Sequence, residues 1–182
     1  MLAVARAKQT GNLRFAGGYA HETGVEDHCA DIVVCSQSFH WMEPCAALKE
    51  IDRILKHDGI FAAIDYDWVP VSNWKVDQAY TSLYYQVFQI EETHRDIRDT
   101  FIRYRKEAHL ANMEQSGYFR YVREIVFAHT ERYDAERLIE FTCSQASLQS
   151  VLKADPGHIR PALDAFTALV RETFGQEVFD VV

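Results

Sequence analysis

Two short stretches hold the side chains best placed to do chemistry. In Phe39-His40-Trp41 an imidazole follows a β-branched run. An unperturbed imidazole titrates near ~6.5, so His40 suits a proton taken close to neutrality. The plainer reading is that Phe39, His40 and Trp41 only plug this loop against a sheet. In Asp65-Tyr66-Asp67-Trp68 carboxylates close a second apolar run. Asp65 or Asp67 can orient a substrate, although carboxylates at strand ends also cap chains or face water.

No metal site is expected. Cys29, Cys35, Cys45 and Cys143 form no C-x-x-C pair, and His21 with His28-Cys29 is only a near-miss of ligand spacing. Disulfides are not expected either.

These stretches must be positioned by a sheet. Ala30 to Cys35 is a continuous β-branched run without alternation, which predicts a strand buried on both faces. Glu43 to Lys56 turns helical, with Leu48, Ile51 and Leu55 on one face and Pro44 in the first turn. Asp58-Gly59 ends that helix, and Ile60 to Ile64 is a second buried strand. Strand, helix and strand make a right-handed βαβ unit with a parallel sheet. A strand over Leu13–Ala16 is expected before it. Beyond Trp68 an aromatic helix carries Tyr80, Tyr84 and Phe88, and the charged run from Glu91 to Lys106 continues as helix. A helix follows over Ala108–Gln115, then a strand over Phe119–His129. Two helical segments close the chain, Asp134–Leu152 and Ile159–Phe174, with Asp134 and either Asp155 or Gly157 as caps.

The chain has 182 residues, 48% of them apolar, and 27 acidic side chains against 19 basic ones. That suits one folded domain and excludes disorder. The acidic balance argues against nucleic acid, whose phosphates need a basic face, and against an electrostatic membrane anchor. The uncharged apolar stretch from Ile32 to Met42 is too short to span a bilayer, and the start shows no secretory signal. A soluble cytoplasmic protein is expected.

The segment from Asp31 to Trp41 resembles the fourth strand and following loop of class I S-adenosylmethionine-dependent methyltransferases. Ala47-Leu48-Lys49-Glu50-Ile51-Asp52-Arg53-Ile54-Leu55-Lys56-His57-Asp58-Gly59 is similar to the helix and turn that come next in that family. The likeness is to its small-molecule type and runs from Met1 to about Asp67. It implies an α/β fold, a Rossmann-like, mostly parallel sheet with an inserted helical cap and without the N-terminal half-sheet. One partial methyltransferase domain would then comprise a sheet core over 1–67, a cap over 68–117 and a C-terminal strand with helices over 118–182.

The resemblance implies methyl transfer from S-adenosylmethionine to a small-molecule acceptor. His40 and Asp65 would be catalytic. Gly18, Tyr19, Ala20, Ser36, Gln37 and Trp41 would meet the cofactor, and Tyr66, Trp68, Trp74, Tyr84 and Tyr85 the acceptor. Two departures stand out. The family's glycine-rich loop and the acidic residue of its second strand would precede Met1, and Tyr19 stands where an Asp commonly receives the adenine amino group. Weak cofactor binding by the isolated chain follows as an expectation. The alternative is a degenerate domain that associates with proteins without catalysis. An unpaired apolar strand edge also predicts a homo-oligomer.

Overall fold

The computed structural model describes residues 2–66, 69–98 and 102–182. They fall into two compact units, each made of two chain segments. One comprises Met1–Tyr66 with Arg103–Glu124, the other Asp67–Ile102 with Ile125–Val182. The sequence reading had divided the chain consecutively, near residues 67 and 117. In the structure, Arg103–Glu124 instead groups with the sheet.

The first unit is the βαβ element, and the fold is α/β and Rossmann-like. Helix α1 (Leu2–Ala7) opens it. Strand β1 (Ala30–Ser36) pairs parallel with β2 (Leu55–Ile64), and helix α2 (Pro44–Ile54) connects them. Glu43 caps α2, its carboxylate accepting from the amides of Cys45 and Ala46, and Pro44 occupies the first turn. The helix buries Ala47, Leu48 and Ile51 in a cluster with Cys35, Phe39 and Leu55. Each fully buried Leu or Ile there contributes about 1.5–3 kcal/mol.

Strand β2 begins earlier than expected. Ala30 pairs with Leu55 and Ile32 with Ile60, so residues 56–59 loop out of register between them. Gly59 is required by close approach. A Cβ there would lie 2.8 Å from the Leu55 side chain and 3.2 Å from the Ala30 carbonyl oxygen.

The expectation that β1 is buried on both faces is corrected. Cys35 is buried and Val33 half-buried on the side of α2, whereas Ile32 is 61% and Val34 52% exposed. Ile60 and Ile64 extend that exposed apolar face. The strand pleat has period two, so one layer of helix covers only every second residue.

Two expected strands do not form. Leu13–Ala16 has no regular structure, and neither does Phe119–His129. Their β-branched and aromatic residues favour a pleated surface, but that preference is realised only against a partner edge. Phe119 instead stacks on Phe61, with ring centroids 5.9 Å apart.

The second unit is mainly helical. Its core comprises α3 (Trp74–Thr93), α4 (Arg95–Arg98), α6 (Ala135–Ser144), α7 (Ala146–Ala154) and α8 (Pro156–Phe174). A short antiparallel pair, β3 (Glu131–Tyr133) with β4 (Phe179–Val181), adjoins them. Asn73, Asp134 and Asp155 cap α3, α6 and α8.

The helix expected over 134–152 is two helices, broken at the extended Gln145. Leu138 and Thr142 are buried, as are Leu148 and Val151. A straight helix would turn Leu148 well away from the Thr142 face, so the break lets both sets go inward. The charged run is not one helix to Lys106 either. It stops at Thr93, and Lys106–Ala108 is a 3-10 turn leading into α5 (His109–Ser116) in the first unit. No described helix is long and apolar enough to cross a membrane.

Candidate functional site

The site belongs to the first unit and lies where β1 and β2 end. Open α/β sheets present their ligand crevices at the carboxyl ends of their strands. After Ser36 the chain turns sharply at Gln37, whose φ of 49° lies in the left-handed region. Such a conformation is uncommon for a residue with a side chain and costs of order 1 kcal/mol. The Gln37 amide donates to the Ile64 carbonyl at 2.8 Å, which ties this turn to the end of β2.

Phe39–Trp41 then forms a 3-10 turn. Phe39 is completely buried, edge-on to Phe61 and to the His109 ring. With Phe39 as anchor, His40 is held against Asp65, the first residue beyond β2. Nδ1 of His40 lies 3.2 Å from Oδ1 of Asp65. His40 is only 6% exposed.

Two further side chains reach the same carboxylate, and the sequence reading had assigned neither to a site. Nζ of Lys106 is 3.0 Å from Asp65 Oδ1. It also donates to the Gln37 side-chain oxygen at 3.1 Å and to the Tyr66 carbonyl at 3.3 Å. Nε2 of His109, at the start of α5, is 3.3 Å from Asp65 Oδ2. The segment that carries them is fastened to the turn by the Tyr104 amide, which donates to the His40 carbonyl at 2.8 Å. Arg103 adds a cation–π contact, its guanidinium 4.9 Å from the Trp41 ring centre.

Burial pushes the titration of both His40 and His109 below the ordinary imidazole value, opposed by the Asp65 charge. Both rings are therefore held toward the neutral form, in which one ring nitrogen keeps a lone pair. Among the described residues, Gln37 Nε2 and His109 Nδ1 are buried without a partner, and Asp65 Oδ2 and His109 Nε2 have only their mutual 3.3 Å contact, outside good hydrogen-bond geometry. Buried polar groups usually have partners, so unmet capacity at the mouth of a parallel sheet marks a place for a ligand.

Of the residues named from the sequence, the structure brings together Gln37, His40, Trp41, Asp65 and Tyr66 around the ends of β1 and β2. Gly18, Tyr19 and Ala20 lie on a separate loop that closes on itself. Tyr19 bridges to Glu22 and stacks on His21 with 72% of its surface exposed. That loop is tied to helix α2 through Thr23, whose amide and hydroxyl donate to Glu50.

The aromatic residues need a correction. Tyr84 is 3% exposed, stacks on Tyr80 at 4.7 Å, and donates its hydroxyl to the Thr142 carbonyl. It is a core residue of the helical unit, because α3 turns it inward with Tyr80, Leu83 and Val87. Trp74 and Tyr85 are exposed on the same helix. Trp68 and Asp67 lie outside the described residues.

His109 escaped detection because nothing local marks it. The only signal is positional: it takes the inward place on α5 where an apolar residue is usual, one turn from the half-buried Met113.

Residues 1–63 match the model of a methyltransferase domain family. An uncharacterised methyltransferase-like protein of Schizosaccharomyces pombe is 42% identical over 59 residues, which is 32% of this chain and 23% of that protein. An uncharacterised methyltransferase of the same yeast is 47% identical over 47 residues, 26% of this chain and 19% of its own length. The uncharacterised protein YafE of Escherichia coli is 39% identical over 63 residues, 34% of this chain and 30% of its own. The matched stretch thus spans under a third of each of these relatives. Among solved structures, one described as a candidate type II methyltransferase from Anaeromyxobacter dehalogenans superposes with a TM-score of 0.60. That match is 16% identical and covers 95% of this chain and 69% of that one.

Proposed function

We propose that this chain, whose first 63 residues match the model of a methyltransferase domain family, takes part in methyl transfer from S-adenosylmethionine to a small-molecule acceptor. The observation that carries the reading is the buried His40–Asp65 pair at the ends of two parallel strands. An imidazole oriented by a carboxylate can accept the proton that an acceptor hydroxyl, carboxyl or amine gives up.

The turn from Ser36 to Trp41 fits part of the cofactor. The side-chain nitrogen of Gln37, Nε2, is a buried donor without a partner among the described residues, and Trp41 is 37% exposed. Tyr19 fits less well, since a neutral phenol stands where a carboxylate would hold an adenine amino group. Bound there, S-adenosylmethionine would supply an electrophilic methyl group. The chain's own residues do the rest: Asp65 orients His40, Lys106 positions Asp65 and Gln37, and Phe39 keeps water from behind the turn. Because methyl transfer is an in-line displacement, such positioning is the larger part of what a protein contributes.

The test is label transfer from methyl-tritiated S-adenosylmethionine to panels of small acids, alcohols and amines. It is run at millimolar cofactor because the Tyr19 departure predicts a dissociation constant above the micromolar range. Transfer that falls about a hundredfold or more in His40→Ala is expected. Absence of transfer to every acceptor, or full activity in His40→Ala, would overturn the reading.

A further inference from the structure

We propose that His40, Asp65 and His109 form a binding site for one divalent metal ion of the zinc class. The three side chains come from different elements: the turn after β1, the end of β2 and the first residue of α5. One ligand atom from each lies within 4.8 Å of the others. The closest approaches are 3.2 Å from His40 Nδ1 to Asp65 Oδ1 and 3.3 Å from His109 Nε2 to Asp65 Oδ2. Tetrahedral zinc with bonds of about 2.0–2.1 Å holds its ligand atoms about 3.4 Å apart, which the two His–Asp approaches match; the three-atom set, within 4.8 Å, closes further around an ion.

A second observation is independent of that spacing. His109 is 8% exposed, and among the described residues its Nδ1 has no partner at all, while its Nε2 has only the Asp65 Oδ2 contact at 3.3 Å, outside good hydrogen-bond geometry. Buried polar atoms held in poor hydrogen-bond geometry, as Nε2 and Oδ2 are, are under-satisfied, and that is costly unless another partner reaches them. A cation satisfies both at once. At His40 the ion would replace the proton between Nδ1 and Oδ1, leaving the ring proton on Nε2.

Two imidazoles and one carboxylate leave a fourth position open, the arrangement of metal sites that also bind water or a substrate atom. The charged groups around the site are Lys106, Arg103 near His40 and Glu107 near His109, with Gln37 beside Lys106. Lys106 is the competitor, because its ammonium holds Oδ1 at 3.0 Å. It is a third exposed, on a flexible stem, and can turn outward when an ion enters.

This inference uses the same side chains but does not rest on methyl transfer. The probe is cobalt(II) added to the chelator-treated full chain and read by its visible absorption, which intensifies in tetrahedral coordination. A band saturating at one cobalt per chain and displaced by zinc is expected. Affinity should fall about tenfold or more in His109→Ala and in Asp65→Asn. It should hold in His21→Ala, and hold or rise in Lys106→Met. If His109→Ala does not fold by circular dichroism, His109→Phe, which refills the space beside Phe39, is read in its place. No saturating band, or an undiminished band in the His109 variant and in Asp65→Asn, would overturn the site. Label transfer by the chelator-treated chain bears on methyl transfer alone, so the two failures are distinguishable.

Discussion

Lys106 and Asp65 form an ion pair at 3.0 Å, and the same ammonium reaches the Gln37 side chain and the Tyr66 carbonyl. One partly exposed cation therefore gathers the end of β2 and the turn after β1. A pair open to solvent on one side contributes little to stability, of order 0–1 kcal/mol. Lys106→Met is expected to leave the thermal midpoint nearly unchanged while label transfer falls about tenfold or more. A large loss of stability with activity intact would assign Lys106 to folding instead.

Tyr84 and Tyr85 separate core from surface on α3. Tyr84→Ala should cost about 3–5 kcal/mol in urea unfolding, since it removes a fully buried ring and the donor to Thr142. Tyr85→Ala should stay within about 0.5 kcal/mol of the parent. Equal effects in the two melts would contradict the packing described for this helix.

Glu50 is a buried carboxylate that receives Arg53, the Thr23 hydroxyl and the Thr23 amide. Arg53 also pairs with Asp27. These donors hold the Glu50 carboxyl well below the usual carboxylate range, the Arg53 guanidinium foremost. In the unfolded chain it titrates near ~4.3. Its stabilisation is therefore complete above that value and fades as pH falls toward the lower folded value. Glu50→Gln should lose about 1–3 kcal/mol at pH ~7 and approach the parent in acid. Urea melts across that range read the convergence; parallel curves would refute it.

Self-association through the sheet is a further proposal. Ile32, Val34, Ile60 and Ile64 expose one apolar face, and among the described residues β1 and β2 pair only with each other. Unpaired strand edges beside apolar surface recruit other chains. Sedimentation velocity should show species larger than the monomer, shifting toward monomer in Val34→Lys and Ile60→Lys. A clean monomer at high concentration would count against it.

The sequence by itself determined the βαβ unit. The β-branched run from Ala30, the amphipathic α2 with Pro44 in its first turn, and the second run to Ile64 are local patterns whose periods permit one reading. That His40 and Asp65 lie at one end of the sheet was legible for the same reason. Asp65 follows one of those runs, His40 sits in the turn after the other, and parallel strands end on the same side. The tertiary structure decided what local pattern does not hold. Leu13–Ala16 and Phe119–His129 have strand composition but no partner edge, and pairing is a property of two segments. Tyr84 and Tyr85 are adjacent and equally aromatic, so which one is buried depends on the rotation of α3 against Thr142. Lys106 and His109 join Asp65 only because the chain returns to the sheet after an excursion into the helical unit. That return is a long-range contact, set by burial of Phe39, His109 and Phe119 beside the sheet, and no spacing along the sequence encodes it.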